Sequence, residues 1–273
     1  MSKVYLVTGA ASGIGQALAR QLLSGGHIVV ACDVNMDGLH TLATDATVSR
    51  LTLHSLDVRK PEAWQAVVAD TVARWGRIDT LCNVAGVLKE NWCDAATPAE
   101  VDFHMDINVK GVVFGVQAVV PHMKKVGKGH IVNIASLAAL SPVPGLSLYS
   151  ASKFAVRAYS LAIAMELKAH GISVSTICPD AVQTPMLDIQ MGKDETALTF
   201  SGSRALTAQE VVDAIVDSER TQVMEVMLPY TRGLTAKLAN LAPALSAKAI
   251  GLFKAAGKKR QAAIQGGKDS TRA

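Results

Sequence analysis

The stretch Val4-Tyr5-Leu6-Val7-Thr8-Gly9-Ala10-Ala11-Ser12-Gly13-Ile14-Gly15, leading into a helical pattern through Leu22, is the strongest fold signal in the chain. The apolar run reads as a buried strand, the glycine-rich run as a tight turn, and the residues through Leu22 as a helix. Glycines at 9, 13 and 15 permit unusual backbone angles and close approach of a ligand. A helix starting there points free N–H groups and its positive dipole end at an anion such as a pyrophosphate. Alone, the turn is as compatible with a plain chain reversal as with a phosphate cradle, and its glycine spacing departs from the commoner G-x-G-x-x-G pattern.

Beyond this first helix, the run Ile28-Val29-Val30-Ala31-Cys32 reads as a second strand ending at Asp33. An acidic side chain about twenty residues past such a turn can accept hydrogen bonds from adenosine ribose hydroxyls. A carboxylate there repels a 2′-phosphate, and neither Val34 nor Asn35 nor the turn offers an arginine or lysine. The placement therefore favours NAD and disfavours NADP; the competing reading of Asp33 is a helix cap or loop acid. Short β-branched runs recur near Leu51, Ile78, Ile131, Ile172 and Val223, with helical stretches between them. Repeated βαβ units need right-handed crossovers, so the chain is expected to form an α/β, doubly wound (Rossmann-type) seven-stranded parallel sheet with helices on both faces. No linker or change of pattern interrupts residues 1–229, which are read as a single domain.

Tyr149 and Lys153 lie four residues apart in Tyr-Ser-Ala-Ser-Lys, on a predicted helix opening at Gly145 that puts phenol and ammonium on one face. A lysine cation beside a tyrosine stabilises the phenolate, which suits the phenol to general acid or base chemistry. The spacing also arises by chance on surface helices. Ser136 closes the predicted strand His130 to Ala135, at the carboxyl end where open α/β sheets bind ligands; its plainer reading is a helix cap. Asn108 falls inside a helical pattern from Val101 to His122, where an asparagine is usually solvated or locally bonded.

Taken together, the T-G-x-x-x-G-I-G turn at Thr8 to Gly15, Asp57-Val58, Asn83-Val84-Ala85-Gly86, Asn108, Ser136, and Tyr149 with Lys153 resemble a classical short-chain dehydrogenase/reductase, from about Lys3 to Pro229. The resemblance implies that Tyr149 donates or accepts the proton, that Lys153 lowers its pKa and holds the nicotinamide ribose, that Ser136 orients the substrate oxygen, and that Asn108 helps anchor a water linked to the lysine. It places Gly9, Ser12, Gly13, Ile14, Gly15, Asp33, Asp57, Val58, Asn83, Ala85, Gly86, Pro179 and Thr184, besides Tyr149 and Lys153, along the cofactor, and it suggests a homodimer or homotetramer through the long helices. Two positions depart from the family pattern: Val84 replaces a second asparagine, and Asp180 follows Pro179 where glycine is usual. Asp180 is read either as a specificity element or as a simple loop residue.

The remaining signals bound the function. Hydrophobic residues are 49% and charged residues 18%, ample for a sheet covered on both faces. Aromatics are 4%, which argues against stacking platforms for nucleic acid. The cysteines, Cys32, Cys82, Cys93 and Cys178, lack C-x-x-C spacing and read as reduced packing residues, and the histidines form no metal motif, so no metal is expected. With a strand beginning by residue 4 and no apolar stretch of spanning length, a cytoplasmic location is expected. Residues 1–229 carry 18 Lys+Arg against 22 Asp+Glu, whereas residues 230–273 carry 9 against Asp269 alone. In this basic C-terminal extension, Leu234, Leu238, Leu241 and Leu245 follow helical spacing, and Pro243 separates two helices. The second helix carries Ala249, Leu252 and Ala256 on one side and Lys254 and Lys258 on another. From Lys258 onward the composition reads as frayed. Three readings of the tail compete: packing over the substrate mouth or a subunit interface, peripheral contact with an anionic membrane, or a solvated appendage. Apolar residues between Thr184 and Leu206, with Leu137, Val143 and Leu146, point to a small hydrophobic alcohol or ketone as substrate; the same residues would serve as helix packing. A nucleotide-binding regulator or scaffold without turnover, and the same reaction with NADP, are the alternatives.

Overall fold

The computed structural model describes residues 2–270, with side chains through residue 265. Seven strands, β1 (Val4–Thr8), β2 (Ile28–Asp33), β3 (Leu51–Ser55), β4 (Thr80–Asn83), β5 (Gly129–Ile134), β6 (Ile172–Pro179) and β7 (Glu225–Leu228), form one sheet in the order β3-β2-β1-β4-β5-β6-β7. Every neighbouring pair is parallel. The expected doubly wound, Rossmann-type sheet is what forms. Strands near Ile78 and Val223 start slightly later, at Thr80 and Glu225; ahead of β4 the Asp79 carboxylate accepts the Val4 N–H at 2.7 Å.

The helices are α1 (Gly13–Ser24), α2 (Met36–His40), α3 (Pro61–Trp75), α4 (Pro98–His104), α5 (Gly111–Val126), α6 (Ser147–Leu167), α7 (Pro185–Asp188), α8 (Ala208–Thr221), α9 (Tyr230–Leu241) and α10 (Pro243–Ser270). Alternate residues of each strand feed opposite faces of the sheet, the period-2 rule that makes central strands apolar throughout. Tyr5, Val7, Val29 and Ala31 pack with Leu18, Leu22, Val211 and Ile215 of α1 and α8. Val4, Leu6, Val30 and Cys32 pack on the other face with Trp64, Val119, Met123 and Ile163 of α3, α5 and α6. Cys32, Cys82 and Cys178 are buried and Cys93 is exposed, all as free thiols.

Where the sequence predicts one helix from Val101 to His122, α4 passes into α5 through a π-helical stretch, Met105–Lys110, which contains Asn108. Thr97 caps α4 in a reciprocal box with Glu100, and Thr207 caps α8 in the same way with Glu210. The strand order reverses direction at β1, so the crevice between the carboxyl ends of β1 and β4 is where such sheets admit a ligand. No helix among the described residues is long and apolar enough to cross a membrane.

Candidate active site

The glycine turn sits at that crevice. Gly9 and Gly13 have φ of +68° and +53°, the left-handed region open to glycine, and a Cβ on Gly9 would come within 2.9 Å of the Ala85 backbone. Thr8 Oγ1 accepts from the N–H groups of both Val84 and Ala85 at 3.1 Å, which clamps the loop after β4 to the turn after β1. Val84 thus sits in a turn held by backbone bonds to Thr8 and by its packing against the core. Gly15 is buried, and a Cβ there would overlap the Gly9 carbonyl. Ser12 stands exposed at the N-cap of α1 without making a cap bond, and Ile14 faces a cavity. Thr184 stands at the start of α7 with its hydroxyl donating to the Val182 carbonyl at 3.2 Å and its methyl group placed to contact any Cβ added at Gly13. The Asp33 carboxylate, at the end of β2, accepts from the Ala11 N–H at 3.1 Å and the Asn35 N–H at 2.9 Å.

Three expected cofactor residues turn elsewhere. Asn83 is buried, and its amide donates to Asn133 Oδ1 at 2.9 Å while Asn133 donates to Ser160, so its side chain braces the helix-covered face beneath the crevice. Val58 packs in the core, and its carbonyl accepts from the Trp64 indole at 3.0 Å. Asp57 is held by Arg59 through Nε at 2.9 Å and Nη2 at 2.7 Å, and these bonds keep its carboxyl below the usual range. The side chains of Asn83 and Asp57 are thus taken by Asn133 and Arg59, and that of Val58 by the core. Ala85 packs against the core, and Gly86 faces the cavity, where a Cβ would meet Asn108 Oδ1 and Lys153 Nζ at 3.3 Å.

A cavity of about 750 Å³ opens at the carboxyl ends of β4 to β6, within the range of small-molecule sites. Ser136, Tyr149, Lys153 and Pro179 all line it. Ser136 Oγ accepts the Ala138 N–H at 3.1 Å and lies 3.5 Å from the Pro179 carbonyl. Tyr149 and Lys153 lie on α6, which begins at Ser147, just past the expected start at Gly145. Lys153 is buried, donates to the Ile134 carbonyl at 2.9 Å and lies 5.7 Å from the centre of the Tyr149 ring. Burial pushes the Tyr149 phenol up to about 12, while the polar Ser136 hydroxyl acts in the opposite direction. Ser136 rather than Lys153 opposes that rise, and burial lowers Lys153 itself to about 8. Asn108 is fully buried; its amide brackets Val87, accepting its N–H at 2.8 Å and donating to its carbonyl at 2.9 Å. It also donates to Ser152 Oγ, which donates to the Tyr149 carbonyl at 2.7 Å. Through this relay the π-helical stretch fixes both the loop after β4 and the first turn of α6.

Sequence reasoning missed several residues at the cavity. Arg232 on α9 pairs with Asp180 at 2.6 Å, and burial raises the Asp180 carboxyl while the guanidinium opposes that rise. Ile250 and Phe253 on α10 also reach the wall. The signal that points to Arg232 is the acid at position 180, which calls for a cation; nothing in the sequence pattern singles out Ile250 or Phe253.

Comparisons with known proteins agree with this geometry. A family model described as short chain dehydrogenase matches residues 3–194. The chain is 35% identical over 226 residues to 2-(R)-hydroxypropyl-CoM dehydrogenase of Xanthobacter autotrophicus, covering 79% of this chain and 90% of that one. It is 36% identical over 188 residues to 3-alpha-(or 20-beta)-hydroxysteroid dehydrogenase of Mycobacterium tuberculosis, covering 69% and 72%. A short-chain dehydrogenase structure from Streptomyces avermitilis superposes with a TM-score of 0.79 at 27% identity, covering 93% of this chain and 98% of that one. With a matching family model, related dehydrogenases and a common fold, this chain belongs to the short-chain dehydrogenase family, as an NAD(P)-dependent oxidoreductase acting on CH–OH groups.

Proposed function

We propose that the protein interconverts a hydrophobic secondary alcohol and its ketone using NAD(H), with Tyr149 moving the proton. The observation that carries this reading is the placement of the Ser136 hydroxyl and the Tyr149 phenol on the wall of one largely apolar cavity, with the Lys153 cation buried 5.7 Å from the centre of the Tyr149 ring. A substrate oxygen held by both hydroxyls has one donor to orient it and one group to exchange its proton with. In oxidation the Tyr149 oxygen takes the alcohol proton as the carbon–hydrogen bond breaks; in reduction it returns that proton to the carbonyl oxygen. The bound nicotinamide supplies the site of hydride gain or loss.

The residues present fit a dinucleotide. The left-handed glycines at 9 and 13 leave space beside the free N–H groups of α1, and Thr184 closes that space from the opposite side. Asp33, fixed by two backbone N–H groups, offers its carboxylate at the end of β2, which supports NAD over NADP. Asn108 acts in this reading by holding Val87 and Ser152, and so the loop and helix on which the site is built. We extend the proposal to a cytoplasmic homodimer or homotetramer, to be tested by light scattering of the purified chain.

The test monitors NADH absorbance across hydrophobic secondary alcohols, with NAD and NADP in parallel. Turnover with NAD is expected, and Tyr149→Phe should lower kcat about a hundredfold or more. Asp33→Ala should improve use of NADP; an unchanged preference would remove the cofactor assignment. Failure to oxidise any alcohol or reduce any ketone in the series would overturn the substrate reading.

A further inference from the structure

We infer that the C-terminal helices form a working wall of the substrate cavity, with Gln261 as a positioning residue and with Ile250 and Phe253 deciding how long an apolar substrate fits. This rests on the dehydrogenase reading above and names its substrate class more closely: an alcohol or ketone with an extended apolar portion.

The inner face of α10 is not the one its apolar pattern suggests. Leu252 is 78% exposed, while Gly257 and Gln261 are buried. The face turned to the body runs Ile250, Lys254, Gly257, Gln261, at helical spacing, with Phe253, 53% exposed, at its edge beside the cavity. Two features explain the choice. At Gly257 a Cβ would overlap the Ala197 carbonyl, so only glycine lets the helix lie this close to residues 197–201. At Gln261 the amide, 5% exposed, donates towards the Gln190 carbonyl at 3.4 Å and towards the Lys193 carbonyl and Thr196 Oγ1 at 3.3 Å. Those acceptors belong to the segment between Thr184 and Leu206, and Gln190, itself buried, ties the segment together through Met186 and Thr199. Lys254 pairs with Asp194 at 2.6 Å and Lys258 pairs with the same carboxylate. A polar group buried at this density is costly to leave unpaired, so the segment and α10 hold each other.

The consequence reaches the cavity. The clamped segment contributes Leu187 and Leu198 to the wall, and the helix that clamps it contributes Ile250 and Phe253. Ser136 and Tyr149 line the same cavity from the sheet side. An apolar substrate reacting at Tyr149 and extending away from it therefore meets side chains of α10. These residues lie beyond the stretch matched by the family model, so this selection belongs to this chain's own extension.

The experiment measures kcat and KM for a homologous series of 2-alkanones with NADH, in the full-length protein and in Ile250→Ala, Phe253→Ala and Gln261→Met. For Ile250→Ala or Phe253→Ala, kcat/KM for a ketone two methylenes beyond the wild-type optimum should improve about tenfold relative to that optimum. Gln261→Met should raise KM for the longer ketones about tenfold, with a smaller change in kcat. It should also speed trypsin cleavage after Lys193, which a role confined to α10's own stability would not predict at temperatures where the protein remains folded. If Gln261→Met does not fold, the surface variant Lys254→Ala with Lys258→Ala removes the neighbouring pairs to Asp194 in the same segment and should raise cleavage in the same direction. An unchanged chain-length profile together with unchanged cleavage, in an enzyme that turns over ketones, overturns the inference and leaves the dehydrogenase reading intact. A wild type that reduces no ketone removes that reading instead, and the wall is then judged by cleavage alone, with unchanged cleavage overturning it.

Discussion

Lys153 is a cation held where water is largely excluded, and burial lowers it to about 8 from an ordinary 10.5. At any pH between those two values the unfolded chain binds more protons at this lysine than the folded one. Stability therefore rises with pH across that window, and below about 8 the whole cost is present. Lys153→Met removes the buried charge but leaves the Ile134 carbonyl without its donor. The balance should stabilise the protein by about 1–2 kcal/mol at neutral pH, or about 3–6 °C in Tm. Calorimetry across pH checks this: the gap between variant and wild type should close as pH approaches 10, while activity is lost throughout. The Tyr149 phenol has the opposite bias. Raised to about 12 by burial, it is protonated at neutral pH, ready to donate to a ketone but not to accept from an alcohol. Alcohol oxidation should accordingly climb with pH between about 6 and 9, whereas ketone reduction should gain nothing over that range. Initial rates in both directions across pH decide the matter, and an oxidation rate independent of pH would argue against Tyr149 as the base.

Among the elements, the turn after β1 was legible because glycine at 9, 13 and 15 has few other uses between an apolar strand and a helix. Its energetic role is also specific. Gly9→Ala would force a side chain into left-handed backbone and against Ala85. About 2–4 kcal/mol of stability should be lost, with weaker NAD binding, as read by thermal melts and by a nicotinamide fluorescence titration. The strands were legible for a similar reason, since β-branched runs buried on both faces leave a continuous apolar signature. The π-helical stretch was not. Its effect is to bring Asn108 to Val87 and Ser152, partners far away in sequence, and a pattern of apolar spacing carries no information about which way an asparagine amide will face. The same blindness explains Asn83, whose side chain joins Asn133 inside the fold rather than the crevice.

Across the entire protein, the sequence shows an acidic body and a basic tail but not how they meet. Of the seven tail cations whose side chains are described, four pair with acids of the body: Arg232 with Asp180, Lys237 with Glu225, and Lys254 and Lys258 with Asp194. Residues 258–265, which read as frayed, continue α10 instead, because Gly257 and Gln261 fit a surface that only the folded body presents. This arrangement bears on the membrane reading. Leu234, Leu238 and Leu241 form an exposed apolar stripe on α9, between 43% and 81% accessible, as a surface-bound helix would need. Yet both cations of α9, Arg232 and Lys237, are turned to the body, so the stripe lacks basic residues of its own helix to meet anionic headgroups. Each lysine or arginine near such a surface is worth about 1 kcal/mol, and withholding two of them lowers the affinity about thirtyfold. Co-sedimentation with vesicles containing phosphatidylserine, at about 0.15 M salt, should therefore carry down only a minor fraction of the protein. If most of it pellets, and Leu238→Glu releases it, the stripe binds lipid without help from α9, and the inward pairing of Arg232 and Lys237 has no bearing on where the protein resides.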